Sequence, residues 1–139
     1  MTAPRVGDSG PAFEVNAITR EDIARYAAAS GDANPIHRDD EFARSAGLPS
    51  IMAHGMLSAG FLASFVTQWF GPDCVRRLKV RFRERVWPGD RLHAEGRVVR
   101  LFAAPAGAMA ELEVALKRAD GTAVVTGTAQ VIVTGAYCS

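Results

Sequence analysis

The chain has 139 residues, of which 48% are hydrophobic and 22% charged, a length and composition that suit one domain with a single apolar core. Sixteen lysines and arginines stand against fifteen aspartates and glutamates, so the net charge is only +1. This balance favours neither nucleic acid nor an anionic membrane as a partner, and any charge-driven partner must bind a local patch. We expect one domain over residues 1–139.

Cysteine usage and hydropathy suggest where the protein works. Cys74 and Cys138 form no metal-like cluster, and no charged and apolar leader precedes the domain. A disulfide-stapled secreted protein is therefore not favoured, and we expect a cytoplasmic one. The most apolar stretch, Met56 to Val66, is far shorter than the ~20 residues of a membrane-spanning helix. We expect it to be a buried helix without membrane insertion.

Helical patterns occupy the first half of the chain. Thr19 and Asp22 have the spacing of a capping box, which predicts a helix from there to Gly31. After a polar loop, residues 39–46 predict a short helix closed by Gly47.

A longer helix is predicted from about Gly55 to Phe70, where Gly71 and Pro72 stop it. Its residues from Met56 onward are apolar or small on nearly every face, which is typical of a helix enclosed by other structure.

After residue 75 the hydrophobic period changes from helical to two, which predicts strands. Leu78, Val80 and Phe82 are expected on the dry face of the first strand. Residues 91–101, 109–116 and 123–133 predict three more, the last two joined by a hairpin turn at residues 120–121. Helices followed by strands indicate an α+β domain, with an antiparallel sheet wrapped over the apolar helix.

The segment GDANPIH, residues 31–37, carries the most chemistry. It places the carboxylate of Asp32 five residues from the imidazole of His37. Pro35 fixes its own backbone and keeps Asn34 extended, so both side chains can face one site. Taken alone, the residues favour a structural interpretation, in which Asp32 and His37 each cap a turn.

A longer pattern favours catalysis. The string YAAASGDANPIHRDDEFA, residues 26–43, resembles the hydratase motif of the MaoC-like dehydratase family. The resemblance extends to AGLPSIMAHGML, residues 46–57, to VRFRERVWPGD, residues 80–90, and to GTAVVTGTAQV, residues 121–131, and so covers most of the chain. It implies the hot-dog fold, a long central helix wrapped by a curved antiparallel sheet.

The resemblance also implies an activity. Family members include R-specific enoyl-CoA hydratases and 3-hydroxyacyl thioester dehydratases of fatty-acid metabolism, in which the Asp and His of the motif hold and activate water. These roles would pass to Asp32 and His37, with acid and base not assigned between them. Gly55, in the triplet HGM, would offer its backbone N–H to the thioester oxygen. The resemblance implies no cofactor and no metal.

Four further residues are candidate substrate contacts: Asn34, His54, Met56 and Gly60. For Asn34 we favour a structural role in the loop, and for His54 a hydrogen bond to the backbone. Many R-specific hydratases carry serine where this chain has Gly60, and members with glycine resemble dehydratase subunits, some of which work in pairs. Gly60 either widens the acyl pocket or allows close packing of helix against sheet.

The expected substrate is an acyl-CoA or an acyl carrier protein thioester. Six basic residues between positions 76 and 85 are more typical of a solvated strand face, yet they could bind carrier phosphates. His93 has no recognisable partner. We expect a homodimer joined edge to edge, or a heterodimer with a related subunit. The alternatives are a hot-dog thioesterase, which usually carries a carboxylate on or near the central helix, and a non-catalytic acyl-thioester-binding subunit.

Overall fold

The computed structural model describes residues 3–133 of the chain. Three α-helices precede most of the sheet, and two single turns of 3-10 helix follow the first and the third of them. The helices are α1 (Arg20–Ser30), α2 (Asp40–Ser45) and α3 (Gly55–Phe70), with 3-10 turns at Pro35–His37 and Pro72–Cys74. The strands are β1 (Phe13–Val15), β2 (Val75–Phe82), β3 (Leu92–Ala104), β4 (Gly107–Arg118) and β5 (Ala123–Ile132).

The predicted helix boundaries are confirmed by their caps. The Thr19 hydroxyl accepts the Asp22 N–H at 3.0 Å, and the Asp22 carboxylate accepts the Thr19 N–H at 2.9 Å, which completes the capping box before α1. Gly31 ends α1 in the left-handed conformation, with φ of 76°. The turn at this glycine directs the chain into the loop of residues 32–34, named the Asp32 loop.

All strand pairs are antiparallel, in the order β1-β3-β4-β5-β2, so β1 and β2 are the two edges of the sheet. The sheet curves closely around α3. A Cβ atom built on Gly10 would lie 2.5 Å from the Phe65 ring, and one built on Gly96 would lie 2.9 Å from it. Leu62, Phe65 and Val66 of α3 are fully buried against this surface. The predicted α+β hot-dog arrangement is confirmed.

Three details differ from the sequence predictions. The helix α3 is not enclosed, because five strands cover only one side of it: Met56 is 61% exposed, and Gly60 and Ser64 are also exposed. Phe82, expected on the dry face of β2, is 51% exposed. Strand β1 has only three residues and was not predicted, since so short a segment shows no periodicity.

Within residues 3–133, no helix combines the length and the hydropathy needed to cross a membrane. Cys74 is buried, and Cys138 lies outside the described residues.

Candidate active site

The Asp32 loop is held in shape by short-range hydrogen bonds. The Asn34 side chain accepts the Ile36 N–H at 3.2 Å and thereby caps the 3-10 turn that carries His37. One carboxylate oxygen of Asp32 accepts the Asn34 N–H at 3.3 Å. Asn34 therefore has the structural role favoured from the sequence. Asp32 also serves its turn, but with only one of its two oxygens.

His37 is fixed by a distant part of the chain. Its side chain is buried, and its Nδ1 lies 2.7 Å from the carbonyl oxygen of Met52, while the Met52 N–H donates to the Ile36 carbonyl at 3.1 Å. Because a carbonyl can only accept, Nδ1 carries the hydrogen and Nε2 of the neutral ring presents its lone pair. The sequence-based alternative in which His37 merely caps a turn does not describe this contact.

The second oxygen of Asp32 faces that lone pair. Asp32 Oδ2 lies 3.9 Å from His37 Nε2, and the Asp32 side chain is 53% exposed whereas that of His37 is 7% exposed. This distance is too long for a direct hydrogen bond, but it allows a single oxygen atom to contact both groups at about 2.8 Å. Asp32 and His37 thus lie close together, with Asp32 open to solvent, an arrangement suited to acid-base chemistry.

His54 lies beneath this pair. Its ring stacks on that of His37 with centroids 3.7 Å apart and planes 22° apart, and it contacts the Tyr26 ring at 4.8 Å. Its Nε2 lies 3.0 Å from the main-chain oxygen of Asp32, which confirms the expected hydrogen bond to the backbone. His54 is 2% exposed, and its assignment as a substrate contact stays a prediction.

Asp32, His37 and His54 each offer one possible metal ligand, and these three atoms lie within 4.8 Å of one another. A metal ion must lie in the plane of each imidazole that binds it through a nitrogen lone pair. Two rings stacked almost parallel direct their lone pairs side by side rather than toward one point. The arrangement suits proton transfer better than metal binding.

Gly55 follows His54 as the first residue of α3, so its N–H has no acceptor within its own helix. It lines a cavity of about 330 Å³ together with Phe82, Arg83 and Arg85. A Cβ atom on Gly55 would lie 3.2 Å from the ring of the exposed Phe82, a tight contact that requires the ring to shift by a few tenths of an ångström. The N–H of a helix start beside a cavity is well suited to stabilise negative charge.

Ser58, which was not predicted from the sequence, lines the same cavity and is 3% exposed. It lies three residues after Gly55 and hence on the same side of α3. A serine in an apolar helix carries no recognisable motif, so only its position in the fold identifies it.

Met56 and Gly60 lie on the exposed face of α3. A Cβ atom on Gly60 would meet nothing within 4 Å, so the explanation that Gly60 allows close packing of helix against sheet is wrong within this chain. Two basic residues of the run at 76–85, Arg83 and Arg85, line the cavity beside Gly55.

Asp40 anchors the segment that holds His37. Its carboxylate accepts the Ile51 N–H at 3.0 Å and pairs with Arg20 at 2.8 Å. The Ile51 N–H, and after it the Arg20 guanidinium, lower the pKa of Asp40 below its usual range. The bond to Ile51 is one residue from Met52, whose carbonyl orients His37.

Comparison with known proteins identifies the family. The family described as "MaoC like domain" matches residues 6–132. This chain belongs to the MaoC-like domain family. Its relatives include the peroxisomal hydratase-dehydrogenase-epimerase of Saccharomyces cerevisiae, 38% identical over 82 residues, which are 59% of this chain and 9% of the yeast protein. The chain thus spans only a small part of that relative.

Two solved structures with similar folds are hydratases. R-hydratase PhaJ1 from Pseudomonas aeruginosa has a TM-score of 0.80 and 27% identity, with 93% of this chain and 81% of that chain covered. The (R)-hydratase from A. caviae involved in PHA biosynthesis has a TM-score of 0.82 and 26% identity. The match covers 96% of this chain and 100% of that chain.

Proposed function

We propose that this protein adds water to trans-2-enoyl thioesters and, in the reverse direction, dehydrates (R)-3-hydroxyacyl thioesters. The observation that carries the proposal is the geometry of the pair: His37 is buried and fixed through Nδ1 to Met52, and its Nε2 faces the Asp32 carboxylate at 3.9 Å. Membership of the MaoC-like family and the likeness to two (R)-hydratases support the same reaction.

The pair can carry out both proton transfers of hydration. A water oxygen held between Asp32 and His37 gives one proton to the group acting as base and forms the bond to C3. The other group delivers a proton to C2, so the double bond is consumed and the elements of water are added. Because both groups lie on one side of the substrate, the addition is syn.

Charge builds up on the thioester oxygen while C2 still lacks its proton. The free N–H of Gly55 is the donor suited to this enolate-like oxygen, and removal of such a donor typically costs about 10²–10³-fold in turnover. The buried hydroxyl of Ser58 opens on the same cavity and can support the thioester there.

The carrier is coenzyme A or an acyl carrier protein, both of which bring phosphate. Arg83 and Arg85 line the cavity that Gly55 opens on, and guanidinium groups bind phosphate through paired hydrogen bonds. Arg83 Nε donates to the Thr126 hydroxyl at 3.1 Å, which holds the side chain near the cavity.

An ultraviolet assay with a trans-2-enoyl-CoA tests the proposal. Loss of absorbance from the conjugated thioester, without release of free thiol, is the expected result. Free thiol would mean a thioesterase and no change would mean binding alone, and either result would overturn the proposed hydration. The helix α3, from Gly55 to Phe70, contains neither Asp nor Glu, in contrast to the expectation for a hot-dog thioesterase.

We also propose that two copies of the chain pair through β2. In the described part of the chain, β2 is an edge strand that pairs with β5 on one side, and unpaired strand edges favour further pairing. The exposed side of α3, which includes Met56 and Gly60, would be covered in the same assembly. Light scattering of the purified chain at micromolar concentration should give a dimer. An active monomer would contradict self-association, and an inactive monomer would indicate that a related subunit is needed.

A further inference from the structure

We propose that His54 is a positioning residue that fixes the side chains of Asp32 and His37 relative to each other. His54 contacts both residues: its ring stacks on His37, and its Nε2 lies 3.0 Å from the Asp32 carbonyl. The inference rests on the proposed hydration, and it assigns His54 no contact with the substrate.

The hydrogen bond fixes the tautomer of His54. Because the Asp32 carbonyl accepts, Nε2 carries the hydrogen, and Nδ1 is left as a bare acceptor. In the described residues, Nδ1 of His54 is the single buried side-chain nitrogen or oxygen that has no hydrogen-bond partner. Burying an unsatisfied polar atom lowers stability, because the atom loses its hydrogen bonds to water. An apolar ring at this position would avoid that cost, so stability alone does not explain a histidine here.

The two contacts of His54 constrain different parts of the site, the ring of His37 and the main chain of Asp32. The stack sets the height and tilt of the His37 ring, whose remaining freedom is rotation about the Met52 hydrogen bond. The Nε2 bond sets the position of the Asp32 main chain, on which its carboxylate depends. The Tyr26 ring supports His54 from a second direction, with the planes 58° apart. Together they maintain the 3.9 Å separation between the catalytic groups.

Three substitutions separate the two contacts. His54→Phe keeps a ring to stack on His37 but cannot donate to Asp32. His54→Gln keeps an N–H donor but loses the ring, and His54→Ala loses both. His93→Gln, a histidine exchange on the outer side of the sheet, is the matched control. Steady-state kinetics with a trans-2-enoyl-CoA are measured for each variant, and His54→Ala is also made in a His37→Gln background.

For His54→Ala we expect a fall in kcat of about 10²-fold with little change in KM, because misplacement of a catalytic group by about 1 Å has effects of that size. His54→Phe and His54→Gln should each recover part of the loss. In the His37→Gln background, His54→Ala should cause little further loss, since a positioning residue acts through the group it positions.

Three results would overturn the inference: wild-type kcat in His54→Ala, a loss confined to KM, or an equal further loss in the His37→Gln background. If the wild-type protein has no hydratase activity, the proposed function fails instead. The positioning role is then decided by NMR of the imidazole protons. Solvent exchange of the His37 Nδ1 proton should be faster in His54→Ala than in wild type or His93→Gln, and equal exchange rates would contradict it.

Discussion

Residues 3–133 contain two histidine-carboxylate pairs, and only one of them lies in the candidate site. On the outer side of the sheet, His93 Nε2 lies 3.1 Å from Glu95, closer than the 3.9 Å between His37 and Asp32. Yet Glu95 is also bonded to Lys117 at 2.8 Å and is more than half exposed. His37 is buried, and its second nitrogen is committed to a carbonyl fifteen residues away.

The comparison shows that proximity does not make an acid-base pair. The His93 pair is formed by residues two apart on one strand, where charged side chains meet in solvent and contribute little. The His37 pair depends on three separate stretches of chain, namely the Asp32 loop, the Met52 segment and the start of α3. Fixed orientation, rather than short distance, distinguishes the site.

The largest effect is expected from the pair itself. Asp32→Asn and His37→Gln should each reduce turnover by about 10²–10⁴-fold without loss of the fold, because positioned acid-base groups contribute that much. Initial rates of hydration and circular dichroism measure the two properties. The double variant should be little worse than the poorer single one, since members of a catalytic unit are not additive.

His93→Gln and Glu95→Gln are the matched controls for these two substitutions, and both should retain wild-type turnover. Near-wild-type hydration by a folded Asp32→Asn or His37→Gln variant would remove that residue from the mechanism.

Two glycines of α3 extend the comparison to the backbone. Gly55→Ala places a methyl group 3.2 Å from the Phe82 ring and beside the N–H proposed to bind the thioester oxygen, so kcat should fall by about 10-fold or more. Gly60→Ala adds its methyl group where no atom of the same chain lies within 4 Å, and helix propensity should then stabilise the folded chain by about 1 kcal/mol. Enzyme kinetics and thermal unfolding of both variants test this contrast. Unchanged kcat in Gly55→Ala would show that the added methyl group does not block the approach of the thioester oxygen to this N–H.

The sequence predicted the elements well where the signal is local. The capping box at Thr19, the stop at Gly71 and the alternation in β2 each depend on residues a few positions apart. The resemblance to a known family supplied Asp32, His37 and Gly55. The contacts that orient His37 could not be predicted in the same way, since a Met52 carbonyl carries no side-chain signature. The exposed side of α3 was missed because an apolar sequence does not reveal which faces a five-stranded sheet covers.

A comparison of Asp40 with Asp120 tests whether anchoring of residues 51–52 is needed to orient His37. Both carboxylates have a lowered pKa because each accepts a backbone N–H, from Ile51 and from Thr122 respectively. Only Asp40 anchors the segment that orients His37. Asp40→Ala should therefore reduce kcat several-fold, about 10-fold at most, while Asp120→Ala leaves it unchanged. Equal kcat values in the two variants would show that the Met52 carbonyl keeps its position without Asp40.

The smallest effect is expected at the exposed pair. The hydrogen bond from Lys117, and after it that from His93, lowers the pKa of Glu95 below its ordinary value of 4.5. The folded chain therefore binds this proton more weakly than the unfolded chain. The resulting stability is complete above the ordinary pKa and is lost as the pH falls through the lowered one. Since the side chain is 54% exposed, the contribution should stay below about 1 kcal/mol.

Thermal unfolding of Glu95→Gln should thus show a slightly lower Tm than wild type at neutral pH, and the difference should vanish in acid. Glu113→Gln, which breaks only a 3.5 Å contact with Arg97, provides the control. A deficit in Glu95→Gln that persists or grows in acid would mean that the glutamine disturbs packing rather than charge, and the electrostatic explanation would be wrong.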